Sequence, residues 1–339
     1  MKISRENEKT GIDVLSEGEE LSNIYDDWID LYARDKKPNP FKSPLWLEPW
    51  REVFKGEELR TFAFHIDGKL EAIAPMHIHS FTHPYIRELT FLGTGNSDYT
   101  DILANERYEE EFLPALFDEI FSMDDWDIVN LLGLREDSQL LNFARKNLPK
   151  ADIMQEEIAP VLLLPDSADE YDKLIGTKKV KGLRWAERRL SDMDDLKFEK
   201  AGIYSIGTAL ESLFLLHNKS QEAKGKSGVF SDYKMKSFIK RVSMGLLANN
   251  MMELYSLKLS RRAIASLFAL KQDRTMYYYI GGYEPELGKY SPGALCIYNV
   301  IKDAISTGIK EFDFLKGNEA YKFEWGAVKR GIYNLKYQI

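Results

Sequence analysis

The tightest constraint on the fold is a switch of hydrophobic period late in the chain. Residues 253–259, 263–271 and 275–283 are rich in Leu, Ile, Tyr and Phe and are separated by short polar breaks, the pattern of three adjoining strands. After them, Tyr290-Ser291-Pro292-Gly293-Ala294-Leu295 opens a segment with apolar residues at Ala294, Ile297, Ile301, Ala304 and Ile305. That i, i+3, i+4 spacing is helical, and Gly308 ends it. A further strand follows at residues 311–315, and two helices, about 206–222 and 233–249, precede the meander. The order is that of an α/β (α+β) domain.

The first half shows a similar order without any repeat of residues. Strands at 59–66 and 69–80 flank Asp67-Gly68, a pair suited to a tight hairpin turn, and a third strand covers 88–93. The polar loop Thr94-Gly95-Asn96-Ser97-Asp98 then leads to an amphipathic helix at about 107–122. A strand at 126–132, a helix after Glu136 and a strand at 158–164 complete it. A chain of 339 residues, 44% hydrophobic and 29% charged, is long enough for two cores. Pro165-Asp166-Ser167 breaks the pattern, so the expected domains are 1–167 and 168–339.

Several function classes are disfavoured. No run approaches the roughly 18 apolar residues of a membrane helix, and Met1 to Glu8 is polar and of mixed charge, so no membrane insertion and a cytoplasmic location are expected. Cys296 is the sole cysteine, which rules out an intramolecular disulfide and a thiolate zinc cluster. A net charge of −8 opposes nucleic acid overall. Against that background, residues 178–189 gather Lys178, Lys179, Lys181, Arg184, Arg188 and Arg189 around Trp185. Such a run is either a solvated helix face or a surface for a phosphate, an acidic sugar or tRNA.

Among residues with chemistry to offer, Ser291 is a suitable N-cap, Pro292 suits the first helical position and Gly293 has no side chain. An exposed helix start offers unpaired N–H groups and partial positive charge to a pyrophosphate. Asp313 alternates with Phe312 and Phe314, so it points either to a cleft, as a base, or to a structural hydrogen bond. His217 lies within a helix and is a base candidate if that helix borders the cleft. His77, His79 and His83 lack acidic or cysteine companions at ligand spacing, and no metal is expected.

Tyr277-Tyr278-Tyr279, Tyr290-Ser291-Pro292-Gly293, Leu295, Asp313-Phe314, Gly317, Tyr321-Lys322 and Trp325 follow in an order that resembles the GNAT superfamily, in its branch of cellulose-biosynthesis-type acetyltransferases. That branch is similar to the Fem-type peptidyltransferases. Phe41-Lys42-Ser43-Pro44-Leu45-Trp46, Trp50 and Ser97-Asp98-Tyr99-Thr100-Asp101 resemble its N-terminal half.

The resemblance implies two tandem GNAT-like domains, each a mixed, mostly antiparallel sheet flanked by helices. It places acetyl-CoA or another acyl-CoA at splayed strands of the second domain, with Pro292, Gly293, Ala294 and Leu295 around the pyrophosphate. Tyr321 matches the tyrosine that protonates the leaving thiolate, and Lys322 would meet a phosphate or carboxylate. The first domain, with Gly93-Thr94-Gly95 as its nearest equivalent loop, is expected to be degenerate for the donor and available to the acceptor. The implied function is acyl transfer to a sugar, amino sugar or amino-acid-like acceptor, small or part of a glycan. The alternatives are aminoacyl-tRNA-dependent peptidyl transfer and a catalytically silent scaffold in polysaccharide biosynthesis.

Overall fold

The computed structural model describes residues 10–54, 58–80 and 85–338. The chain forms two compact units, one of residues Met1–Glu157 with Gly331–Ile339, the other of Ile158–Arg330. Both combine mixed sheets with flanking helices.

In the first unit the chain runs through β1 (Thr10–Leu15), α1 (Gly18–Asn23), α2 (Tyr25–Ala33), α3 (Pro44–Val53) and β2 (Glu58–Leu59). Then come β3 (Thr61–Ile66), β4 (Lys69–Ala74), β5 (Met76–His79), β6 (Glu88–Phe91) and β7 (Leu103–Ala104). It finishes with α4 (Glu109–Ser122), β8 (Ile128–Arg135), α5 (Gln139–Asn147) and the start of β9 (Asp152–Leu163). Asp67 and Gly68 take φ of 51° and 78°, the left-handed pair that the β3–β4 hairpin needs.

The strand expected over 69–80 is two strands in different sheets. Pro75 has no N–H for a ladder, so β4 pairs with β3 and β7 while β5 pairs with β2 and β6. β6 and β8 are parallel, joined across α4. Phe62, Leu89, Phe112, Leu116 and Trp126 pack at the centre of this unit.

The second unit takes the end of β9, then α6 (Ala168–Ile175), α7 (Thr177–Ser191), β10 (Leu196–Lys200), α8 (Ile206–Glu222) and α9 (Tyr233–Ala248). There follow β11 (Met252–Leu259), β12 (Arg262–Gln272), β13 (Thr275–Tyr283), α10 (Pro292–Ser306), β14 (Glu311–Asp313), α11 (Ala320–Phe323) and the start of β15 (Val328–Gln338). Its strand order is β10-β11-β12-β13-β14-β9, antiparallel except for β13 and β14. Leu295, Val300, Ile301 and Ala304 of α10 pack with Tyr255, Phe312 and Trp325.

The boundaries differ from those expected at 167 and 168. Val161 pairs with Asp313 and Leu163 with Glu311, so the strand from Ile158 joins the second unit. Residues 332–338 pair with β8 of the first unit, Ile332 opposite Arg135 and Gln338 opposite Ile128. Both exchanges rest on pairing between segments about 150 to 200 residues apart in sequence, which local pattern does not register.

Candidate active site

β13 and β14 stay together for three pairs only, Thr275 with Glu311, Met276 with Phe312 and Tyr277 with Asp313. Beyond that point their partners differ. Residues 278–283 remain with β12, whereas the N–H groups of Phe314 and Gly317 donate to Pro160 O at 2.9 Å and Ile158 O at 3.0 Å. The sheet therefore splits into a wedge between β13 and residues 314–317, with Leu315 at a φ of 58°. β13 is also bulged, with Tyr279 the extra residue between the pairs Tyr278–Ala269 and Ile280–Phe268.

The first turn of α10 lies against β13, where a Cβ added to Gly293 would be 3.2 Å from the Tyr283 ring. Ser291 is not the hydroxyl cap its type suggested. Its φ of 47° and ψ of 52° are left-handed rather than extended, and its side chain makes no cap bond. Its carbonyl accepts from Leu295 N–H at 3.0 Å, and Pro292 has no N–H. Gly293 and Ala294 thus supply the N–H groups that a helix start cannot satisfy internally. In α5, α6 and α9, by contrast, Ser138, Ser167 and Asp232 cap their own first turns.

Tyr321, at the second position of α11, is brought to this wedge. The Tyr278 and Tyr321 hydroxyls lie together here, with Cys296 of α10 beside Tyr278. Although 40% of Tyr321 is exposed, its hydroxyl is at the buried end, and burial, followed by the Glu319 carboxylate, raises its pKa. Tyr321 is therefore neutral at physiological pH. Cys296 is buried, its thiol pushed up to about 12. That thiol has no nucleophilic character near neutrality.

Two expected site residues have structural duties instead. Asp313 is fully buried; its carboxylate accepts from Leu315 N–H at 2.8 Å and meets Arg330 at 3.5 Å, which fixes the left-handed turn and a cation rather than freeing a base. Lys322 is also buried. Its ammonium donates to the carbonyls of Leu315 at 3.3 Å and Lys316 at 2.5 Å and pairs with Glu319 at 3.0 Å, so it staples the 315–319 turn rather than reaching a phosphate.

His217 lies on the other side of β13. Neighbouring strand residues face opposite ways. Tyr283 meets α10, whereas a Cβ on Gly282 would lie 2.2 Å from the backbone nitrogen of His217 on α8. This close approach puts His217 Nδ1 2.9 Å from Gly281 O, so Nδ1 carries the hydrogen and Nε2 the lone pair. Nε2 is buried without a hydrogen-bond partner. Burial lowers the pKa of the ring, which keeps it neutral.

Sequence reasoning gave no role to Tyr278, nor to Lys224 and Lys226 in the loop after α8. Lys224 lies 5.8 Å from the Tyr283 ring centre, and Lys226 is felt at Glu319. The only signal was Lys224-Gly225-Lys226 itself, two cations flanking a glycine at a φ of 72°. On α7, Lys179 caps the Trp325 ring at 3.8 Å, Arg184 pairs with Asp172 at 2.8 Å and Arg189 with Asp192 at 3.6 Å. Lys178, Lys181 and Arg188 have no ion pair among the described residues.

The first unit has the same strand, helix, parallel strand sequence at β6-α4-β8, but α4 begins with Glu109, Glu110 and Glu111. Three carboxylates at a helix start stabilise the helix and repel a pyrophosphate. Gly93-Thr94-Gly95 opens no helix; it forms a turn in which Gly93 O accepts from Asn96 and Ser97 N–H. His77 is buried edge-on to Trp50 and 6.0 Å from His79, and His83 lies outside the described residues, as do Met1 to Glu8. Among the described residues no group of His, Cys, Asp and Glu is arranged to hold a metal ion, and no helix is long and apolar enough to cross a membrane.

Residues 177–323 match a family described as an acetyltransferase (GNAT) domain. A sequence search of curated proteins gives no match. Among solved structures, FemX is similar over 93% of this chain and 96% of its own, at a TM-score of 0.67 and 13% identity. The C-terminal domain of a putative lysylphosphatidylglycerol synthetase from Agrobacterium fabrum is similar over 93% and 91%, at 0.58 and 9% identity. A tandem GNAT protein from the clavulanic acid biosynthesis pathway is similar over 97% and 98%, at 0.51 and 10% identity. At these identities the likeness is one of fold.

Proposed function

We propose that this chain, whose residues 177–323 match the acetyltransferase (GNAT) domain family, transfers an acyl group from acetyl-CoA or another acyl-CoA to an amine or hydroxyl of a sugar, amino sugar or amino-acid-like acceptor. The observation that carries this reading is the divergence of β13 and β14 next to the uncapped first turn of α10, with Tyr321 beside it. A wedge in a sheet accepts an extended pantetheine arm, and the Gly293 and Ala294 N–H groups suit its pyrophosphate. Lys224 and Lys226 add positive charge on the loop alongside.

In this reading the acceptor attacks the thioester carbonyl directly. The new C–N or C–O bond forms as the C–S bond breaks, the acceptor proton passes to water, and Tyr321 gives its proton to the departing thiolate. His217 Nε2, buried across β13 from Tyr321, is left out of the transfer, and the place of Tyr321 beside the wedge and the first turn of α10 supports its role as acid.

Thermal stabilisation by acetyl-CoA and longer acyl-CoAs tests the donor, since a ligand at 100 times its Kd adds about 2.7 kcal/mol. Tyr321→Phe is expected to lower kcat for thiol release by roughly 10²- to 10⁴-fold while leaving that stabilisation in place. No stabilisation by any CoA ester would sink the assignment.

The unpaired Lys178, Lys181 and Arg188 support a second reading, in which the acyl group arrives on aminoacyl-tRNA. It predicts tRNA binding that weakens with salt and on neutralising those three residues. Absence of binding at low salt removes it.

A further inference from the structure

Trp185 stands out on α7 because it is 43% exposed on a basic helix that carries few other large apolar groups on its solvent side. Its ring lies 5.9 Å from that of Tyr290, at 34°. Tyr290 immediately precedes Ser291 and the first turn of α10, and Lys289 covers its ring at 4.8 Å. An aromatic pair is thus fastened to the backbone that offers N–H groups to a phosphate. Beside Trp185 is an open depression of about 490 Å³, lined also by Glu187, Arg188, Arg189, Ser191 and Asp192.

The charges around this depression are not equivalent. Arg189 is turned to Asp192 at 3.6 Å, whereas Arg188, three residues beyond Trp185 on the same helical face, has no ion pair among the described residues. Lys181, one turn before Trp185, has none either. An aromatic face flanked by free cations binds a planar base together with a phosphate, because stacking is indifferent to the edge of the base and the guanidinium takes phosphate oxygens in pairs. The Glu187 carboxylate on the rim suits an exocyclic amine or a ribose hydroxyl and would repel a phosphate placed over it.

We infer that Trp185, Tyr290 and Arg188 form a platform for the phosphorylated adenosine of the acyl donor. The inference rests on the donor reading given above and extends it to the nucleotide end. Both donor chemistries considered there end in an adenosine close to phosphate, coenzyme A in its 3′-phospho-ADP and an aminoacyl-tRNA in its 3′-terminal nucleotide. The platform is the shared feature, and the phosphate pattern separates the two sources.

The test uses the full-length chain and two acyl-free probes in isothermal titration, adenosine 3′,5′-bisphosphate and the trinucleotide CCA. One of them is expected to bind, the bisphosphate if the donor is a CoA ester and CCA if it is a charged tRNA. Trp185→Ala is expected to raise Kd for that probe about 5- to 100-fold, with Trp185→Phe restoring most of the loss and Arg188→Gln also weakening binding, since both probes carry phosphate. Acetyl-pantetheine has no nucleotide, so its turnover is expected to be unchanged in Trp185→Ala. The platform is refuted if neither probe binds, if Trp185→Ala leaves both affinities unchanged, or if it slows acetyl-pantetheine turnover. Probe binding that depends on Trp185, in a protein that releases no thiol from any acyl-CoA, would uphold the platform and overturn only the CoA reading.

Discussion

Gly282→Ala isolates the contact that delivers His217 to the sheet. The added Cβ would lie 2.2 Å from His217 N, 2.4 Å from Leu216 C and 2.5 Å from His217 Cα. These are backbone atoms in the middle of α8, so no rotamer change relieves the clash and the helix must move off β13. Overpacking of this kind costs about 1–3 kcal/mol. Separation also breaks the 2.9 Å bond from His217 Nδ1 to Gly281 O, worth about 1 kcal/mol. The expected loss is roughly 2–4 kcal/mol, or a fall in Tm of about 5–15 °C for a unit the size of Ile158–Arg330. Differential scanning calorimetry reads it, with Gly288→Ala as control, because nothing lies within 4 Å of a Cβ there and its effect should stay within about 0.5 kcal/mol. A Gly282→Ala melting point within about 1 °C of the parent's would refute the close approach and, with it, the reason for His217's fixed tautomer.

Two further expectations concern protons. His217 has its folded pKa below the ordinary 6.5 through burial, so the unfolded chain takes up the proton first and stability falls as pH drops from about 6.5 through the folded value. His217→Gln should flatten the urea midpoint over that window and leave it parallel to the parent's above pH 7; an unchanged slope contradicts a buried neutral ring. Asp101, in the first unit, is pushed up to about 6 chiefly by burial, although its carboxyl has Lys42 and Ser138 nearby. Its protonated form therefore stabilises the fold below the unfolded value near 3.8, and that contribution is lost as pH rises through about 6. Asp101→Asn should gain roughly 1–3 kcal/mol at pH 7 and almost nothing at pH 3.5. Destabilisation at pH 7, read from urea unfolding, goes against the assignment.

The β12–β13 hairpin, α10 and the tight turn at Asp67-Gly68 could be read from the chain because each depends on periodicity and a few punctuating residues. The family pattern added Tyr321. Ser291 shows the limit of that approach. Its type predicted a hydroxyl cap, but the short 3₁₀ turn Pro285–Tyr290 delivers it in a left-handed conformation, and the helix start stays uncapped.

Residue type and spacing fixed the local elements and the sign of charge at each helix end, such as Glu109-Glu110-Glu111 on α4 against Ser291-Pro292-Gly293 on α10. Tertiary structure alone decided the rest. Pairing partners far apart in sequence split β13 from β14 and returned residues 332–338 to the first unit, and the turn formed where β14 leaves β13 made Asp313 and Lys322 internal fasteners. The same partners set His217 and Tyr278 on opposite faces of one strand, because a side chain's chemistry depends on what is packed around it, and that neighbourhood is set by contacts that no local stretch of sequence contains.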